Sequence, residues 1–288
     1  MKRILLCLMV ALFATGCLFA KNNDEKMNVM SYNIRYDNSG DGPNSWPHRK
    51  DSICAFIHRV DPDIIDMQEV LHHQLEVLKT GLPEYTVVGV GREDGKTAGE
   101  YAPIFFKQAK YTLLDQNTFW LCEKPDSVGM VGWDSALTRI ATWVKLQDKK
   151  TGQILMVVNT HFDHIGTEAR RNSALLIIEK IKEIVGTSPA ILTGDFNVSE
   201  DWDAYKTITN NEFILKDAHK VAGKRTGVDF TYHNFGKIPA EKCEKIDFIF
   251  VTPQIRVISS YIPFSQLNDT LFLSDHNPEI VELEIEKS

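Results

Sequence analysis

The stretch ILMVVNT, residues 154–160, decides the fold. It is nearly all apolar, as a strand covered on both faces would be. Just before it, RIATWVKL (139–146) alternates Ile140, Thr142, Val144 and Leu146, which predicts a half-buried strand. Just after it, TEARRNSALLIIEKIKEIV (167–185) places Ala174, Ile178, Ile181 and Val185 on one helical stripe. AILTG (190–194) is strand-like again. Further out, MNVMSYNIRY, DIIDM, YTVVGV, PIFFK, KIDFIFV, VISSYIPF and EIVELEI read as strands. PHRKDSICAFIHRV (47–60) reads as a helix ended by Asp61-Pro62, and HQLEVLKTGL as another. Helices occur among many strands without strict alternation. The expected class is therefore α/β, with mixed sheets stacked as a sandwich and helices outside.

The chain has 288 residues, 43% of them hydrophobic, and a formal net charge of −7. No internal repeat or long linker divides it, which predicts one domain over residues 27–288. Residues 1–20 read as a secretory signal: Lys2 and Arg3, a short apolar run, then small residues. FATGC resembles a bacterial lipobox, with Gly16 before Cys17 and Ala14 where Leu is usual. Cleavage after Ala20 is the alternative. The expected address is extracytoplasmic, as an outer-membrane or periplasmic lipoprotein held to the membrane through lipidated Cys17, or as a secreted protein, and in either case a monomer. Cys54, Cys122 and Cys243 remain, without metal-type spacing. A Cys122–Cys243 disulfide fits an oxidising compartment, and three buried thiols are the plainer expectation.

Polar residues collect where strand-like runs end. Asn33 lies in SYNIRY, Glu69 follows IIDM, His161 follows VVNT, and Asp195 and Asn197 follow AILTG. Asp247 lies in KIDFIF, and Asp275-His276 follow FLS. Each has a plain structural reading: a turn for GDFN, a helix cap for Glu69 or Asp275, a satisfied core histidine for His161. Their joint occurrence at strand ends points to one site on a rigid scaffold.

SYNIRY, IIDMQE, TRIATWV, NTHFDH, LTGDFN, KIDFIFV and SDHNPE, in this order, resemble the endonuclease/exonuclease/phosphatase superfamily. The resemblance runs from about Met27 to Glu284. It implies a four-layer α/β sandwich of the pancreatic-deoxyribonuclease type, with two mixed, mainly antiparallel sheets flanked by helices. It also implies hydrolysis of phosphate esters with Mg²⁺ or Mn²⁺. Hard, oxygen-preferring ions suit these residue types independently. Glu69, with Asn33 and Asp275 beside it, is the expected metal site.

By the same resemblance, Asp195 orients or deprotonates the attacking water, and Asn197 holds the phosphate or a second metal. His276 pairs with Asp247. A protonated His276 would bind a phosphate oxygen and a neutral one would act as base; the residues leave both open. His161 would contact the phosphate or leaving group, Glu100 would border the substrate and orient His161, and Arg139 would reach the phosphate. Asp163 has no assigned role, and His233 is placed on a substrate loop. His72, His73 and His219 are read as surface residues.

Three functions stay open. The first is a phosphodiesterase or phosphatase acting on a small-molecule, sugar, inositol or lipid phosphate. The second is a nuclease, with nucleic acid as partner, although an acidic chain lacks the usual basic footprint. The third, a non-catalytic binding lipoprotein, fits least, because no metal or dyad position is replaced. Loops 91–100 and 122–136 are expected to shape specificity, with Tyr101, Trp120 and Trp133 as stacking candidates or core residues.

Overall fold

The computed structural model describes residues 26–186, 188–210, 215–268 and 270–286. The signal and lipobox readings, Cys17 included, lie outside these residues. The chain begins with β1 (Lys26–Asn33), α1 (Trp46–Val60), β2 (Ile64–Gln68), α2 (His72–Gly81), β3 (Tyr85–Val88) and β4 (Ile104–Lys107). It continues with β5 (Tyr111–Trp120), β6 (Ile140–Asp148), β7 (Ile154–His161), α3 (Thr167–Val185) and β8 (Ala190–Asp195). The rest comprises α4 (Asp203–Thr209), β9 (Lys216–Asp217), α5 (Ala218–Val221), β10 (Lys224–Gly227), β11 (Asp247–Val251), β12 (Ile255–Ile262) and β13 (Glu279–Ile285).

Two sheets form, in the orders β10-β12-β13-β1-β2-β4-β3 and β5-β6-β7-β8-β11-β9. β1–β2, β7–β8 and β10–β12 pair in parallel, and the other pairings described are antiparallel. Strand periodicity then sorts the side chains into layers. Leu155 and Val157 of β7 meet Val29, Ile64 and Val281 of the other sheet in a central core. Met156 and Val158 point the other way, onto Ala174, Ile177, Ile178 and Ile181 of α3. On the far side, Met30 and Tyr32 of β1 pack under Ile53, Phe56 and Ile57 of α1 and Leu75 and Leu78 of α2. The four expected layers are present, and β7 is apolar from Ile154 to Val158 because both of its faces are covered there, with buried Asn159, Thr160 and His161 at its end.

Two readings change. β6 is not half-buried: Ile140, Ala141, Thr142, Trp143 and Val144 are all buried, since α3 covers the face opposite the central core. β5 is a strand that the sequence did not suggest, an edge strand carrying Asp115, Gln116 and Asn117 in its exposed middle. Among the described residues the three cysteines are free, with Cys122 buried and Cys54 and Cys243 half-buried, so the Cys122–Cys243 disulfide alternative is not formed.

Beneath the strand ends, polar side chains tie the sheets together. Gln68 Nε2 donates to Asn159 Oδ1 (2.7 Å), and Thr193 Oγ1 donates to Asp66 Oδ2 (2.8 Å). All four residues are buried. Groups removed from water hold their bonds tightly, so these pairs fix the shear between the sheets. Gly194 lies in the same layer. A Cβ there would sit 2.4 Å from the Thr160 carbonyl oxygen, so glycine is what lets β8 approach β7.

Candidate active site

Strand register assembles the site. In the parallel β7–β8 pair His161 lies opposite Asp195, and in the antiparallel β8–β11 pair Asp195 lies opposite Asp247. One row across three strands thus carries an imidazole and two carboxylates. In the other sheet Asn33 ends β1 opposite Gln68, and Glu69 follows directly. Asn33 joins the two sheets: its Nδ2 donates to Glu69 Oε1 (3.0 Å) and to Asp195 Oδ2 (2.9 Å). Its Oδ1 accepts from the Arg35 N–H (3.0 Å). These partners fix the amide orientation, because carboxylates only accept and a backbone N–H only donates. Asn33 is therefore a donor tying two carboxylates together, not the oxygen donor expected of a metal ligand.

His276 and Asp247 form the expected dyad, with Nδ1 2.8 Å from Oδ2. Burial alone would favour neutral His276. The Asp247 carboxylate, helped by Asp195 and Asp275, outweighs it and pushes the imidazole up to about 10, so His276 carries a proton on each nitrogen at neutral pH. Its Nε2 stands 3.8 Å from Asp195 Oδ2. Burial, with Asp247 nearby, pushes the Asp195 carboxyl up to about 7, against the opposing pull of His276 and the Asn33 amide. His161 behaves oppositely. Burial, with Arg139 and Arg92 nearby, drives it well below the usual histidine range, so it is neutral. Two imidazoles in one cavity thus hold different charge states, each set by its neighbours.

Asp195 and Asn197 both line the cavity, but not as alternate residues of a strand. β8 stops at Asp195 and Asn197 has a left-handed backbone, φ 50°. Its N–H bonds back to Asp195 Oδ1 (3.0 Å) and its Nδ2 to the Phe162 carbonyl (3.0 Å). Glu69 and Arg35 share the left-handed conformation, with φ 63° and 60°. Such residues persist only where surroundings hold them, and they concentrate at functional sites. Asp275 and His276 line the same cavity with different neighbours. Asp275 Oδ2 lies 3.8 Å from Arg35 Nε, on the Glu69 side, whereas His276 faces Asp247 and Asp195.

Glu100 comes within 3.7 Å of His161 Nδ1, too far for the expected hydrogen bond, and accepts instead from Arg92 Nη1 (2.7 Å). His161 Nδ1 is buried without a partner, and so is Arg139 Nη1. Arg139 is anchored by Asp163 Oδ2 (Nε, 3.5 Å) and His164 Nδ1 (Nη2, 3.1 Å). Asp163, left without a role by the sequence, is thus the post behind Arg139. Its Oδ1 accepts from Ile165 and Gly166 N–H at the approach to α3 (2.9 and 2.7 Å).

His233 does not reach the cavity. It is buried against Phe264 and Phe272, and burial pushes it down to about 4. Its neighbour Tyr232 lines the cavity in its place, with its ring 4.9 Å from His276. Tyr101 and Trp120 are core residues, bonded to the Lys96 and Arg92 carbonyls, and Trp133 is half-buried. His72 and His73 are exposed as expected, but His219 is buried, with Nδ1 2.8 Å from Ser260 Oγ. Arg35, Tyr36, His164 and Tyr232, with the apolar Leu137 and Ile246, complete the lining of a cavity of about 440 Å³.

Glu69, His161 and Asp195 each offer a donor atom within 4.8 Å of the others, as do Asp195, Asp247 and His276. The residues lining the cavity bring carboxylate oxygens and no thiolate, a donor set that suits a hard divalent cation. This gathering of carboxylates and imidazoles at the ends of a four-layer sandwich agrees with the profile of the Endonuclease/Exonuclease/phosphatase family, which matches residues 30–276. The chain belongs to that family.

Members of the family are phosphoester hydrolases that generally use a divalent metal. Among solved structures, an endonuclease/exonuclease/phosphatase from Bacteroides vulgatus is 61% identical, covering 91% of this chain and 100% of that one at a TM-score of 0.89. A mannosyl-6-phosphatase of Bacteroides thetaiotaomicron is 36% identical, covering 89% of this chain and 99% of that one at a TM-score of 0.83. Among curated relatives, Drosophila melanogaster Nocturnin is 22% identical over 82% of this chain. The alignment spans only 41% of Nocturnin's own length.

Proposed function

We propose that the protein is a divalent-metal-dependent phosphatase or phosphodiesterase acting on a small extracytoplasmic phosphate ester, with a phosphorylated sugar as the leading class. The observation that carries this is the convergence on one 440 Å³ cavity of a cationic His276, a neutral His161 and the buried, unpartnered Nη1 of Arg139. That size is in the range of small-molecule sites. The acidic chain and the mannosyl-6-phosphatase relative, 36% identical over nearly its whole length, favour a small substrate over a polymer. The signal-like N-terminus motivates the extracytoplasmic address.

In this reading Glu69 and Asp275 would hold the metal, with Asn33 fixing Glu69. A bound divalent ion would offset the charge that builds on the phosphate and leaving group. His276 donates Nε2–H to a phosphate oxygen, and Asp247 keeps it protonated. Arg139 offers Nη1 to a second oxygen. Asp195, with a carboxyl near neutrality, takes the proton of the attacking water. His161 stands neutral beside the leaving group, while Asn197 and Glu100 border the phosphate.

The test is a panel of sugar phosphates, inositol phosphates, sphingomyelin and supercoiled plasmid, run with and without EDTA. Sugar phosphate turnover that EDTA abolishes and Mg²⁺ restores is the expected result. Plasmid nicking at trace enzyme would move the reading to a nuclease, and full activity in EDTA would remove the metal.

A further inference from the structure

Arg35 leaves β1 two residues after Asn33 with a left-handed backbone. Its carbonyl accepts from Gln74 Nε2 (3.1 Å) and Arg49 Nη2 (3.3 Å), which fixes where the side chain starts. The guanidinium then lies among three carboxylates, with its Cζ 4.4 Å from the Tyr36 ring centroid. Asp41 takes it in a two-pronged pair, Nε to Oδ2 at 3.0 Å and Nη2 to Oδ1 at 3.1 Å. The other two carboxylates stay outside hydrogen-bond distance. Nη1 is 3.9 Å from Glu69 Oε2, and Nε is 3.8 Å from Asp275 Oδ2.

This asymmetry is informative. Glu69 and Asp275 are partly desolvated carboxylates of one cavity, and like charges in such a place need a cation nearby. Arg35 provides one by proximity alone. A contact without a hydrogen bond is lost at low cost, while the tether to Asp41 keeps the guanidinium in a defined place.

We propose that Arg35 is a built-in counter-cation, anchored on Asp41, that neutralises Glu69 and Asp275 when no divalent ion is bound and competes with the ion for them. It rests on the reading that Glu69 and Asp275 hold the metal. Two consequences follow. The cavity keeps its shape before metal arrives, and metal affinity is held below what the carboxylates alone would give.

The experiment is titration calorimetry of the mature protein with Mn²⁺ and with Mg²⁺, without substrate, together with thermal midpoints in EDTA and in excess metal. For Arg35→Gln, Mn²⁺ binding should tighten by about tenfold or more, given a full charge removed about 4 Å from two ligands. Its midpoint in EDTA should fall, and the rise on adding metal should exceed that of the wild type. Arg35→Lys, which keeps the charge, should bind metal within about threefold of wild type. Asp41→Asn should weaken binding in the wild-type background and change little in the Arg35→Gln background, because it acts through Arg35. Unchanged or weaker metal binding by Arg35→Gln overturns the proposal while leaving the metal reading intact. Should Arg35→Gln fail to fold, equal metal binding by Asp41→Asn and wild type overturns it. No metal binding by any form overturns the metal reading as well.

Discussion

Asp163→Asn removes one charge that shapes the cavity without lining it. Burial would push the Asp163 carboxyl up, but the Gly166 and Ile165 N–H donors and Arg139 outweigh burial and bring it down to about 2, from an ordinary 3.8. Because the folded value is the lower one, the ionised carboxylate stabilises the native state in full above about pH 4 and ceases to do so as pH falls through about 2. The gap corresponds to roughly 2 kcal/mol at most. Asparagine does not titrate, so wild type should exceed the variant by about 1–2 kcal/mol at neutral pH, and the difference should shrink by about pH 2–3. Urea denaturation followed by tryptophan fluorescence at both pH values measures it. Any remainder at low pH reports the mismatch of an amide NH₂ facing the Leu137 N–H and Arg139 Nε. Equal midpoints at neutral pH, or a difference that persists undiminished in acid, would refute the reasoning. Arg139 also loses its post, so KM for a phosphate ester should rise more than kcat falls.

Three further predictions concern the scaffold and the division of the site. Gly194→Ala places a Cβ 2.4 Å from the Thr160 carbonyl, so stability should drop by about 1–3 kcal/mol in urea, with activity falling as His161 and Asp195 separate. Unchanged stability and turnover would contradict the close approach of β7 and β8. Lys245 Nζ and Glu279 Oε2 form a buried pair at 2.7 Å. Lys245→Met should cost about 3–5 kcal/mol by calorimetry, and Lys245→Met combined with Glu279→Leu much less; equal losses would show that the stranded carboxylate is not the cause. His276→Ala should lower kcat by about 10²–10⁴ with metal binding kept, whereas Asp275→Asn should weaken metal binding first. Identical profiles for the two variants would show that these neighbours share one task.

The sequence made β7 and α3 legible because each carries its environment in its own pattern, an unbroken apolar run in β7 and a helical apolar stripe in α3. β5 escaped because an edge strand with an exposed middle has no apolar pattern to announce it. β6 misled in the other direction: with Ile140, Thr142, Val144 and Leu146 read as its one buried face, the face carrying Ala141 and Trp143 was assigned to solvent, where α3 in fact covers it. At the site, residues that are chemically distinctive at strand ends were found, and the register then explained why His161, Asp195 and Asp247 stand in a row. What could not be read was orientation. Nothing in SYNIRY says that the Asn33 amide turns its nitrogen to the carboxylates, or that Arg35 and Tyr36 bend back into the cavity. That outcome depends on left-handed backbone positions and on partners more than thirty residues away. His233 and Tyr232 are adjacent, and only the path of their loop decides which one faces the cavity.

The polar ties between the sheets also give the protein an internal gauge. The row of His161, Asp195 and Asp247 and the carboxylate that would hold the metal belong to different sheets, joined at the top by Asn33 and below by the Gln68–Asn159 and Asp66–Thr193 bonds. Neither sheet carries a complete site, and the seven-stranded sheet draws its strands from both ends of the described chain, so the site exists only when the two sheets are docked. A slip of one sheet past the other would move every reacting pair at once while leaving each sheet's own hydrogen bonds intact. On heating, turnover should therefore be lost before the strand signal in circular dichroism.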